Sequence, residues 1–163
     1  MLASDKVVSR HDLAAKVAGL RASCAPIVFT NGVFDLLHVG HVRYLEFARS
    51  LGGMLVVGVN SDASVRQLAK GPERPIVPQA DRAEVVAALG CVDFVCIFDE
   101  MRPDETILAI KPDVHVKSAQ YRADELPEAA AVRKVGGRIV IAPHIEGRST
   151  SGLVAKLRAQ DRV

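Results

Sequence analysis

Apolar positions along the chain fall into short unbroken runs, separated by stretches of about ten residues in which they recur every three or four. The runs are Ile27-Val28-Phe29-Thr30, Met54 to Val59, Val92 to Phe98, Val114 to Lys117 and Arg138 to Ala142. Unbroken runs of this length predict strands buried on both faces. The intervening spacing predicts helices over 39–51, 62–70, 79–89, 124–135 and 149–159, and one begun by Pro103. A leading helix over 9–22, opened by Ser9, sets Leu13, Val17 and Leu20 on one side. Gly71-Pro72, Pro75 and Pro78 punctuate a loop before the 79–89 helix, the segment best suited to move. Alternating strands and helices of these lengths imply the α/β class: a doubly wound, parallel, five-stranded sheet with helices on both faces and right-handed crossovers. In such a sheet ligands lie beyond the carboxyl ends of the strands, where strand order reverses.

Composition narrows the picture. At 163 residues the chain is the size of one domain, and 49% apolar residues exclude a disordered chain. With 4% aromatics and no Trp, the core must be built from Val, Leu, Ile and Ala. A net charge of +2, from 21 basic and 19 acidic residues, excludes the broad basic surface that duplex nucleic acid requires, so any anion site is local and no nucleic-acid partner is expected. The N-terminus turns polar at once, and no apolar run reaches the roughly 20 residues that cross a bilayer; a soluble, cytoplasmic protein without membrane contact is the expectation. Cys24, Cys91 and Cys96 lack paired metal-site spacing and read as reduced thiols in a packed interior.

Candidate chemistry lies at the strand ends. Asn31-Gly32-Val33-Phe34-Asp35 leaves the first strand and leads to His38, Gly40 and His41. Two imidazoles three residues apart at a helix start suit phosphate, because the helix dipole favours an anion there and imidazole donates hydrogen bonds in either protonation state. A structural histidine pair or a metal pair is the competing reading, but further ligands at strand ends are sparse and no protein-held metal is expected. Asp35 either orients the histidine loop or contributes to a magnesium environment. Asn60-Ser61-Asp62 follows the second strand, where Asp62 either caps the next helix or holds a substrate hydroxyl or the basic loop beyond it. Arg66, Lys70 and Arg74 either form a solvated basic face or supply a cation that closes over a triphosphate. Gly147, Arg148, Ser149, Thr150 and Ser151, ahead of the last helix, form a second anion cradle or an ordinary cap.

Gly32-Val33-Phe34-Asp35-Leu36-Leu37-His38-Val39-Gly40-His41 resembles the signature of the cytidylyltransferase-like nucleotidyltransferases, whose fold is Rossmann-like. Within them, residues 29–35, Val59 to Ser64 and Glu146 to Thr150 resemble the adenylyltransferase domain of ADP-heptose synthases, over about residues 9–159 and without a sugar kinase domain. The resemblance implies transfer of AMP from ATP, with Mg2+, to a heptose 1-phosphate and release of pyrophosphate. It implies His38, His41 and Lys70 as catalytic. Nucleotide contacts would come from Asn31, Gly32, Val33, Phe34, Gly40, Arg82, Lys117 and residues 147–151, and acceptor contacts from Asp35, Asn60, Asp62, Gln120 and Tyr121. It also implies a homodimer. Heptose adenylyltransferases usually read Lys-Gly-Gly-Asp-Tyr where this chain has Lys117-Ser118-Ala119-Gln120-Tyr121, so a carboxylate is missing from the acceptor pocket. A cytidylyltransferase acting on glycerol 3-phosphate or another phosphorylated alcohol, and a non-catalytic nucleotide-binding homologue, are the alternatives.

Overall fold

The structure, a computed structural model, describes residues 2–68, 73–123 and 125–144. Five parallel strands, β1 (Ile27–Gly32), β2 (Met54–Asn60), β3 (Phe94–Phe98), β4 (Val114–Lys117) and β5 (Arg138–Ile141), form one sheet in the order β3-β2-β1-β4-β5. The chain builds outward from β1 through β2 to β3, then returns to lay β4 on the other side of β1. The reversal of strand order therefore falls between β1 and β4, with Thr30 opposite Val116 in register.

Helices cover both faces, as the unbroken apolar runs predict. On one face α3 (Val39–Arg49) and α5 (Gln79–Ala87) pack Leu45, Ala48, Ala83 and Val86 against Val28, Leu55, Val57, Val95 and Val116. On the other, α2 (Arg10–Cys24), α6 (Asp104–Ile110) and α7 (Ala129–Lys134) pack Leu13, Val17, Ile107, Ile110 and Val132 against Ile27, Phe29, Val56 and Cys96. Strand residues sort between the two cores by strict alternation, the period of an extended chain.

Several expectations are corrected at element ends. The leading helix runs Arg10–Cys24, with Ser9 accepting a hydrogen bond from the Asp12 N–H, but Leu20 is exposed rather than shared with Leu13 and Val17. A short helix α1 (Ala3–Lys6) precedes it and was not foreseen; its position is tied down where the Lys6 ammonium donates to the Val92 carbonyl. β3 starts at Phe94, because Asp93 turns its carboxylate back to accept from the Leu55 N–H at 2.7 Å. The expected helix over 124–135 is only Ala129–Lys134, preceded by turns. The second-loop helix, α4, spans Asp62–Gln67. Cys96 is buried, whereas Cys24 and Cys91 are only half-buried. No helix among the described residues is long and apolar enough to cross a membrane.

Candidate active site

Five consecutive residues, Asn31 to Asp35, leave the end of β1 at the β1–β4 reversal, and four of them engage a different part of the protein. Phe34 does so at a cost: its φ of 50° lies in the left-handed region, which side chains with a Cβ avoid by roughly 1–2 kcal/mol. The conformation buries the ring beside Gly32, where a Cβ would sit 3.0 Å from it, and tilts it against His41 at a centroid distance of 5.5 Å.

His38 is the N-cap of α3, and its Nδ1 accepts a hydrogen bond from the Gly40 N–H at 3.1 Å. That bond leaves Nδ1 without a proton, so in the neutral ring Nε2 is the donor. His41, one turn on, stacks with it at 4.0 Å between ring centroids. Burial, helped by the neighbouring His38, lowers the His41 pKa to about 4, so this ring is neutral at pH 7. Its Nδ1 is buried with no hydrogen-bond partner among the described residues. An unpartnered buried ring nitrogen is costly, and the cost is relieved by a ligand that completes the bond. A phosphate oxygen does so once the imidazole is protonated at that nitrogen, which the anion's own charge favours.

Asp35 is the second anchor. Its nearly buried carboxylate accepts from the N–H groups of Ile76 and Val77 at 2.8 and 2.9 Å and pairs with Arg74 at 2.7 Å. Burial alone would raise its pKa, but the Val77 N–H, Arg74 and the Ile76 N–H together hold it below the usual carboxylate range. The side chain expected at the acceptor thus fastens the loop after α4 to the histidine segment.

Arg82, expected at the nucleotide, is the largest fully buried side chain among the described residues, donating through Nε to the Val77 carbonyl, through Nη1 to the Val33 carbonyl and through Nη2 to Asp62 at 2.7 Å. It joins three segments around the site and offers no exposed face to a ligand. Asp62 accordingly holds Arg82, while the cap of α4 is Ser61, whose side chain accepts from the Ser64 N–H. Asn60, expected at the substrate, is buried and donates to Ser64 Oγ at 2.9 Å.

At the reversal itself Asn31 Oδ1 accepts from the Lys117 ammonium at 3.0 Å. Lys117 also lies 5.1 Å from the centroid of the Tyr121 ring, which is half-exposed, and Gln120 beside it is exposed. Thr30 Oγ1 and the Tyr44 hydroxyl, 2.6 Å apart, both reach the Val116 carbonyl and close the floor of the β1–β4 junction. Burial raises the Tyr44 pKa well above that of a free phenol, so it stays a hydrogen-bond donor. Neither Thr30 nor Tyr44 is expected at the site from the sequence, where Thr30 reads as a strand residue and a Tyr in the middle of a helix looks like ordinary packing. Lys70, Gly147, Arg148, Ser149, Thr150 and Ser151 lie outside the described residues.

A strand-end loop bearing stacked imidazoles at a helix start, set at the strand-order reversal of a parallel sheet, is matched by one family model, Cytidylyltransferase-like, over residues 29–154. The chain belongs to the cytidylyltransferase-like family. Among curated members it is 52% identical, over 94% of both chains, to a D-beta-D-heptose 1-phosphate adenylyltransferase of Bordetella bronchiseptica. It is 47% identical to a Bifunctional protein HldE of Magnetococcus marinus, covering 96% of this chain but 32% of that one. The chain thus spans about a third of the bifunctional relatives it matches. Among solved structures, a lipopolysaccharide core biosynthesis protein of Thermoplasma volcanium superposes with a TM-score of 0.64 at 30% identity, over 74% of this chain and 98% of that one.

Proposed function

We propose that this cytidylyltransferase-like chain transfers AMP from ATP to the phosphate of a heptose 1-phosphate and releases pyrophosphate. The observation that carries the reading is the stacked His38–His41 pair, with its buried unpartnered Nδ1, at the start of α3; the relative of matching length and 52% identity supplies the substrates.

An oxygen of the acceptor phosphate attacks the α-phosphorus of ATP, a new P–O bond forms, and the bond to the bridging oxygen of the β-phosphate breaks, with its electron pair leaving on pyrophosphate. A phosphate nucleophile is already ionised at neutral pH, so the protein supplies alignment and charge stabilisation rather than a general base. His38 donates through Nε2, and His41 takes up a proton as the anion enters and donates through Nδ1. Lys70 closes over the triphosphate, and Gly147 to Ser151 receive its tail, as the family resemblance implies. Arg82 and Asp35 act by holding the loop that carries these contacts in place.

Magnesium would neutralise charge on the triphosphate. Among the described residues no group of three or more His, Cys, Asp or Glu side chains is placed to hold a metal ion, and Asp35 is already saturated. The ion therefore fits as a partner of the nucleotide's own oxygens, in keeping with the few carboxylates that magnesium asks of a protein. We infer further a homodimer in the cytoplasm; sedimentation of the full chain reads the first.

The test is pyrophosphate release with ATP, CTP, GTP and UTP against heptose 1-phosphate, other sugar 1-phosphates and glycerol 3-phosphate. Turnover confined to ATP with a heptose 1-phosphate is the expected result. Turnover only with CTP and a phosphorylated alcohol would replace the substrates and keep the chemistry, and nucleotide binding without turnover would overturn catalysis.

A further inference from the structure

Behind Lys117 lies a buried charged cluster that the reaction as described leaves unused. His115 and Lys117 stand two residues apart on β4 and so share one face of the sheet. Glu128 Oε1 meets both, at 2.8 Å from Lys117 Nζ and 3.3 Å from His115 Nε2. The His115 side chain is fully buried and its ring stacks on Phe29, its register partner on β1. Burial keeps this imidazole neutral, so it donates through Nε2 to a carboxylate that His115 and Lys117 hold ionised against the cost of its own burial. Glu128 occupies the N-cap position of α7 yet makes no side-chain cap bond to that helix. Its carboxylate reaches across to β4 instead, although a buried ion pair is no reliable source of stability.

The outcome is a relay of contacts, His115 to Glu128 to Lys117 to Asn31, that ends at the strand-order reversal. An ammonium has three N–H donors, and Lys117 uses two of them on Glu128 and Asn31 among the described residues. Because Asn31 accepts through Oδ1, its amide NH2 is also left as a donor. One ammonium N–H and one amide NH2, fixed side by side at the carboxyl ends of β1 and β4, match the oxygens of a phosphate group.

We propose that Glu128 is a positioning residue that sets the Lys117 ammonium and, through it, the Asn31 amide to receive a phosphate group at the β1–β4 reversal. The inference rests on the adenylyl-transfer reading for the identity of the phosphate, which belongs either to ATP or to the sugar 1-phosphate. His115 orients the carboxylate, and Phe29 holds His115.

Calorimetric titration of ATP and, separately, of heptose 1-phosphate into the full-length wild type, Glu128→Gln, Lys117→Met and the double variant tests this. Loss of the carboxylate should weaken one of the two ligands by about tenfold, as should loss of the ammonium, and Glu128→Asp should recover part of the loss. The ligand that weakens identifies the phosphate. In the Lys117→Met background Glu128→Gln should cost nothing further, because Glu128 acts only through Lys117. Removing both charges also avoids a lone buried ion, so the double variant should melt near the wild type even if Glu128→Gln folds poorly. Unchanged affinity for both ligands in Glu128→Gln, losses that add in the double variant, or a wild type that binds neither ligand would overturn the proposal. Pyrophosphate release by the wild type reads the reaction independently: an absent reaction with intact non-additive binding loss removes the heptose reading and leaves the role of Glu128 standing.

Discussion

The imidazoles of His38 and His41 stack at 4.0 Å between centroids with their planes 29° apart, one ring capping α3 and the other half-buried a turn later. Two rings this close cannot both be charged at low cost, so the pair is poised to take one proton when an anion arrives. Replacing His41 by Ala should lower kcat by about 100- to 1,000-fold, the usual effect of removing one donor to a developing charge. The fold should lose little, since the ring has no hydrogen bond to give up at Nδ1. Steady-state kinetics and a urea titration of the same variant check this; parallel losses in both would assign His41 to packing alone.

The depressed pKa of His41 makes a pH prediction whose sign is fixed. Its folded value of about 4 lies below the ordinary 6.5, so the unfolded chain binds the proton more readily between the two. The stability it confers is complete above about pH 6.5 and falls away as pH drops toward 4, by at most about 3 kcal/mol. His41→Gln should flatten the stability profile across that window. Saturating ATP should also flatten it, because an anion on the ring raises its folded pKa.

Asp35 fastens Arg74 and the N–H groups of Ile76 and Val77 with one carboxylate. Asp35→Ala leaves a guanidinium and two N–H groups without their acceptor and should cost about 2–4 kcal/mol. Because the loop it anchors precedes α5 and follows the segment bearing Lys70, the KM for ATP should rise as well. Thermal melts and initial rates at varied ATP read the two effects.

Arg82 offers a test of structural against ligand-contacting roles. Its three hydrogen bonds run to Val77, Val33 and Asp62 from a side chain with no exposed surface. A lysine cannot reproduce this planar fork, so Arg82→Lys should destabilise the fold by about 3 kcal/mol or more. Activity should fall with the folded fraction and recover on cooling. A variant that melts like the wild type yet loses ATP affinity would return Arg82 to the phosphates.

The fold and the placement of the histidine pair were legible where the signal is local. Unbroken apolar runs can be buried only in a doubly covered sheet, and the His38–Gly40–His41 spacing places two rings at one helix start whatever else the chain does. Asp35, Arg82, Asn60 and Asp62 stand out in the sequence as polar groups at strand and helix ends, where a partner within the protein and a ligand outside it are equally open for Asp35 and Asp62. Their partners are Arg74, the Val33 carbonyl, Ser64 and Arg82, and a sequence does not say which polar groups 4 to 49 positions apart will meet.

Glu128 is the extreme case. Read along the chain it is one more polar residue inside the helix expected over 124–135, with nothing to mark it as part of a site. Only the sheet order, which sets β4 against β1, and the alternation of β4, which turns His115 and Lys117 to one face, bring it to the site. The sequence by itself determined the class of fold, the loop that leaves β1 and the two imidazoles at the start of α3, because these depend on periodicity and on neighbours within one turn. Which polar groups are spent on one another and which remain for a ligand was decided by tertiary structure, since burial and hydrogen-bond partners are set by segments distant along the chain.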